Sequence, residues 1–65
     1  MSKVTETYRP EGVYAKVTGR TGKVAHVAPE VQRSGRKVYV VFSQDHRSEH
    51  DDYYTATKKA IEVVQ

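Results

Sequence analysis

Sixty-five residues with a formal net charge of +3 and no cysteine make one small domain; it buries only roughly 60% of its unfolded surface, with neither a disulfide framework nor a thiolate zinc site to staple it. No apolar run exceeds a few positions, which excludes a membrane-spanning helix. Eleven valines, five tyrosines, one isoleucine, one phenylalanine and no leucine fit a pleated, half-buried surface far better than a helical core, so a β-dominated fold is expected.

Residues 1 to 11, MSKVTETYRPE, hold Pro10 and keep no sustained period, and they read as an extended or disordered arm. Met1-Ser2-Lys3 runs into polar residues rather than an apolar stretch, so no signal peptide is expected. With no cysteine, that fits a reducing cytoplasm. The first strand is Gly12 to Val17, where Val13, Ala15 and Val17 alternate with Tyr14 and Lys16. Gly19 and Gly22 bracket a tight turn, and a second strand follows from Lys23 to Ala28, stopping at Pro29. Glu30 to Arg36 reads as a polar loop around Ser34-Gly35. In the third strand, Lys37 to Phe42, one face carries Val38, Val40 and Phe42 and the other Tyr39 and Val41. Both faces are apolar, which places this strand centrally.

The stretch QDHRSEHDD, residues 44 to 52, then raises a chemical question. His46 to His50 matches H-x-x-E-H, the spacing of inverted zinc metalloproteases. That chemistry needs a helix to put both imidazoles on one face, together with a third ligand from farther along. The stretch is poor in helix formers, sits between expected strands, and is followed by Glu62 as the sole later carboxylate. A solvated acidic hairpin loop is the plainer reading, with weak adventitious metal binding as an alternative. No catalytic residue, metal site or cofactor is assigned. The loop does carry a local charge of −3, from Asp45, Glu49, Asp51 and Asp52 against Arg47, which leaves +6 on the rest of the chain. Protonation of His46 and His50 in mild acid would move the loop toward −1.

Asp52 to Thr55 reads as a fourth strand. The tail from Ala56 onward is ambiguous: Ala56, Ala60, Ile61 and Val64 would line one side of a helix. Against that helix stand lysines at its start, Glu62 near its end, and a β-prone Val63-Val64. A single helical turn at Thr57 to Ala60, then a fifth strand with Ile61 and Val63 inward, is the preferred reading. The alternative is a β-meander with a C-terminal helix.

Ala15-Lys16-Val17-Thr18-Gly19-Arg20-Thr21-Gly22-Lys23-Val24 resembles the strand–turn–strand entry of the nitrile hydratase β-subunit barrel and the KOW motif of ribosomal and elongation proteins. Val38 to Phe42 is similar to the V-x-V-x-F strand of these barrels, and Lys58 to Val64 to their closing strand. The photosystem I subunit that docks ferredoxin shows a similar layout. Together these resemblances imply a five-stranded Src-homology-3-like barrel over residues 12 to 65, with no function attached, since such barrels serve unrelated roles. The chain lacks the tryptophan of the nitrile hydratase closing segment. Where the small plasmid dihydrofolate reductase of this fold reads Val-Gln-Ile-Tyr, this chain has Asp52-Tyr53-Tyr54-Thr55, so that activity is not implied.

Two binding functions are expected, and neither is enzymatic. In the first, Arg20 and Lys23 at the glycine turn converge at one barrel rim with Arg33, Arg36 and Lys37 of the longer loop. They would bind nucleic acid or a ribonucleoprotein through phosphate, with little base specificity. Tyr14, Tyr39, Tyr53 and Tyr54 are the candidate stacking surfaces. In the second, the basic face docks an acidic protein and Tyr53-Tyr54 supply aromatic anchors. His26 reads as packed at the barrel edge. Open edges in so small a barrel also invite a homodimer by strand pairing.

Overall fold

The computed structural model describes residues 2–65, so Met1 of the expected arm lies outside the described residues. Five strands form one antiparallel sheet in sequential order: β1 Lys3–Arg9, β2 Gly12–Thr18, β3 Val24–Val31, β4 Lys37–Phe42 and β5 Arg47–His50. A helix, α1 Tyr53–Val63, follows and packs on one face against β2 to β5. Strands β1 and β5 are the two edges, so the sheet is open. The fold is thus the meander with a C-terminal helix.

Period-two alternation decides which side chains meet the helix. Ala15, Val17, Ala25, Val27 and Val41 point to the helix face and form the core with Ala56, Ala60 and Val64. Among the described residues no fully buried side chain is larger than valine. Alanines on both sides let the helix axis come close to the sheet, and valines fill the space left. For a core this thin, total stability falls at about 3 to 10 kcal/mol by per-residue scaling.

Five expectations need correction. The arm at 1–11 contains β1, which pairs with β2 over seven residues from Lys3↔Thr18 to Arg9↔Gly12. Every side chain of β1 is exposed, so it left no burial pattern to read. Asp52 to Thr55 is the start of the helix and not a strand: the Asp52 carboxylate accepts from the Thr55 N–H at 3.0 Å, an N-cap. Residues 57–60 and 61–64 continue the same helix to its end, with no fifth strand there. The reversed end charges are present, since the first turn holds no acid and the last no base. They cost only about 0.3 to 1 kcal/mol each at an exposed helix end, less than the burial of Ala56, Ala60 and Val64 returns. The acidic loop is also shorter than 44–52, because Arg47–His50 is β5.

Pro29 does not stop β3. The β2–β3 ladder ends at Ala15↔Val27, so beyond it one side of β3 makes no strand bonds and a missing N–H there costs nothing.

Two features tie the periphery down. Gly22 turns between β2 and β3 with φ of +92° and donates its N–H to the Gly19 carbonyl at 3.1 Å. At the other end Tyr53 of α1 packs edge-on against Tyr39, with ring centroids 5.6 Å apart, and its hydroxyl donates to Glu6 of β1 at 2.5 Å. Tyr8 donates to the same carboxylate at 2.9 Å. These two bonds, that from Tyr53 first, hold the Glu6 carboxyl below the ordinary glutamate range. Burial and then Glu6 push the Tyr53 hydroxyl up to about 12. A depressed carboxylate contributes above its ordinary pKa of 4.5 and loses that contribution as pH falls; a raised phenol contributes below 10 and loses it as pH rises through about 12. The tie is therefore at full strength between about pH 4.5 and 10. Tyr53→Phe is expected to lower the melting midpoint most inside that window, and least toward both extremes. A melting difference independent of pH would refute this tie.

Candidate nucleic-acid interface

The face away from the helix is set by the same alternation. Its central row crosses all five strands: Thr5↔Lys16, Lys16↔His26, His26↔Phe42 and Phe42↔Arg47 are successive register pairs. His26 and Phe42 stack with ring centroids 5.3 Å apart and an interplanar angle of 24°. Phe42 is 40% exposed and His26 is exposed, so the pair offers a flat aromatic surface to solvent. It lies in a shallow depression of 360 Å³ whose lining includes Thr5, Thr7, Tyr14, Lys16, His26 and Phe42. Tyr14 is half-buried and donates its hydroxyl to Glu11 at 3.1 Å.

Charge divides this face in two. Toward the β3–β4 turn, Arg47 of β5 reaches Glu30 of β3 at 3.6 Å and Glu49 at 3.2 Å. Gln32 donates to Glu49 at 2.9 Å. These arms bridge β3 and β5 across β4 and roof Val38 and Val40, which are only 3% and 6% exposed although no helix covers them. That half is closed and sets two carboxylates against one guanidinium. In the other half, Lys3 and Lys16 form no ion pair among the described residues. The exposed Arg20 and Lys23 of the β2–β3 turn lie at that end of the sheet but on its other side, lining hollows beside Val64 at the helix terminus.

The expected site residues separate accordingly. Arg20 and Lys23 sit at one end of β3 and Arg33 and Arg36 at the other, since successive turns of a meander alternate ends. An eight-residue strand between them spans roughly 26 Å at ~3.3 Å per residue. The single rim does not form. Arg36 is ion-paired with Asp51, and the Lys37 ammonium lies 5.6 Å from the Tyr39 ring centre. Arg33 is exposed in the same mixed-charge turn. Tyr53 and Tyr39 are committed to packing, whereas Tyr54 is 69% exposed with the Lys58 ammonium 5.4 Å over its ring.

Phe42, His26, Lys16 and Lys3 were missing from the expected site. Phe42 was already on the Val38–Val40 face by alternation; what could not be read was that nothing covers it. His26 is stacked, not packed at a barrel edge. The H-x-x-E-H residues occupy a turn and a strand. Ser48 lies between His46 Nε2 at 3.0 Å and His50 Nε2 at 2.8 Å, and strand alternation sends Glu49 to the opposite face. The metalloprotease geometry is therefore not assembled, and among the described residues no cluster of three or more potential metal ligands is found.

Comparison with protein-family models, curated proteins and solved structures returns no match. Among the described residues no helix is long and apolar enough to cross a membrane. The functional reading rests on the open face itself.

Proposed function

We propose that the chain is a small non-catalytic module that binds single-stranded nucleic acid, alone or within a ribonucleoprotein, with little base specificity. The observation that carries this reading is the row Thr5–Lys16–His26–Phe42–Arg47, an exposed aromatic stack with a free lysine beside it. Any base has a π-face, so stacking on Phe42 and His26 supplies affinity without selecting sequence. Lys3 and Lys16 share the face with the stack and meet phosphates as point charges, whereas Arg20 and Lys23 lie around the sheet end beside the helix terminus. Glu30 and Glu49 turn the backbone away from the roofed half. A strand whose bases are already unpaired can use such a surface, whereas a duplex keeps its bases stacked inward. The resemblance of Ala15 to Val24 to the KOW entry of Src-homology-3-like barrels supports the same reading; what this sheet lacks of such a barrel is a closing β1–β5 pair.

Two phosphate contacts, from Lys3 and Lys16, imply a slope of log affinity against log salt of about −1.4 for a single strand. Fluorescence anisotropy with labelled twelve-nucleotide homopolymers is then expected to lose about sevenfold in affinity between 50 and 200 mM salt. The homopolymers should differ from one another by less than tenfold, and a duplex should bind more weakly. Absence of binding at low salt, or binding indifferent to salt, would sink the proposal.

A second reading, docking of an acidic protein, has one observation of its own: the outward Tyr54 ring with Lys58 above it. A stoichiometric acidic protein retained after nuclease treatment, and lost on Tyr54→Ala, would favour it.

A further inference from the structure

The two edges of the sheet are treated differently. Strand β5 has four residues, runs into Asp51-Asp52, and is packed by the helix. Short, charged and covered edges are how sheet proteins avoid pairing with other chains. Strand β1 carries Lys3, Glu6 and Arg9 but is neither short nor covered. It is seven residues long, free of proline, holds two threonines and one valine, and is laddered to β2 along its whole length. The helix reaches it only through the Tyr53 hydroxyl on Glu6, and Val4 and Tyr8 are 37% and 73% exposed. A strand this regular, burying no side chain of its own, presents a straight row of unpaired N–H and C=O groups.

We infer that β1 pairs antiparallel with β1 of a second copy of this chain, joining two sheets into one of ten strands. Charge and length select the register. A two-fold axis perpendicular to the sheet requires one residue of β1 to face its own copy. Centring on Glu6 opposes Glu6 to Glu6 and Lys3 to Arg9, and like charges directly opposite are destabilising. Centring on Thr7 runs the pairing into Pro10, which has no N–H to give. Centring on Thr5 pairs Ser2 to Tyr8 without opposing like charges: Lys3 faces Thr7, and Val4 faces Glu6. It also sets the two Val4 side chains diagonally across from each other, within reach for packing. A second copy fits this edge because one register satisfies both chains at once. On the opposite face, the rows Thr5–Lys16–His26–Phe42 of the two copies become collinear across the joint. The pairing stands without the nucleic-acid reading and is tested without nucleic acid.

The buried area of a single strand pair is small, so the dimer is of modest affinity. Sedimentation over roughly 5 to 500 μM protein should show the 7.4 kDa chain doubling its mass as concentration rises. The natural chain has no cysteine, so any disulfide formed by a single-cysteine variant is intermolecular. Thr5→Cys is expected to cross-link at least tenfold faster than Thr7→Cys or Glu6→Cys under mild oxidation. The double variant T5K/T7K, with lysines along the edge, should remain monomeric at all these concentrations with an unchanged far-UV circular dichroism spectrum. A natural chain that stays monomeric at 500 μM, equal cross-linking rates at the three positions, or a folded T5K/T7K that still dimerises would each overturn the inference.

Discussion

Gly19→Ala is expected to destabilise the protein by about 2 to 4 kcal/mol, a large share of what so small a domain holds. The reason is a close approach and not a backbone torsion. A Cβ at this position would stand 2.1 Å from the Val64 carbonyl oxygen and 3.0 Å from the Val64 Cβ. The obstacle is mostly backbone, at the end of a helix whose last carbonyls are already engaged: the Val64 N–H donates to Ala60 at 3.2 Å. The turn is equally fixed, since the Gly19 N–H donates to the Lys23 carbonyl at 2.7 Å. Relief therefore comes from lifting the last helical turn, which withdraws Val64, one of the four largest fully buried side chains. In urea, with an m-value near 1 kcal/mol/M for a chain this short, the midpoint should fall by roughly 2 M or more. Val64→Ala separates this account from a general loss of turn stability. If Gly19 acts by displacing Val64, the double variant costs clearly less than the sum of the two single ones. A Gly19→Ala variant within about 0.5 kcal/mol of the parent would refute the close-approach argument.

Phe42→Ala should weaken single-strand binding by about 5- to 150-fold, the loss of one stacking platform worth ~1 to 3 kcal/mol. Because Phe42 lies on the uncovered face, outside the helix-side core, the variant should stay folded, which circular dichroism checks. Phe42→Tyr keeps a ring and should retain most of the affinity. Lys16→Ala makes a different mark. It removes one phosphate contact, so the salt slope becomes shallower by about 0.7, while Phe42→Ala leaves the slope unchanged. If both variants bind as the parent does, the open face is not the binding surface.

The alternation of residues 37 to 42 already separated Val38, Val40 and Phe42 from Tyr39 and Val41, and the register pairs bear it out. The glycine turn at 19–22 and the Ser34-Gly35 turn, where Gly35 donates to Gln32 at 2.8 Å, were equally visible as local chemistry. Strand β1 was not, because its seven residues bury nothing and only the ladder to β2 holds them extended. The helix was misread because end charges and β-prone valines argued against it one residue at a time. The Asp52 cap and the Ala56–Ala60–Val64 seam argued for it together, but only once a sheet lay beneath. The candidate site divided in the same way. Arg20 and Lys23 were visible as basic turn residues, yet their separation from Arg33 and Arg36 follows from the length of β3.

By itself the sequence determined a β-dominated domain, the turns between β2, β3 and β4, and the faces of each central strand, because these follow from interactions within a few residues. Only the tertiary structure decided that the tail is a helix, that one sheet face stays open with Phe42 and His26 upon it, and which cations share a surface. Those outcomes depend on what packs over a residue from far along the chain. A period of two tells which side a residue is on; it does not tell what, if anything, covers that side.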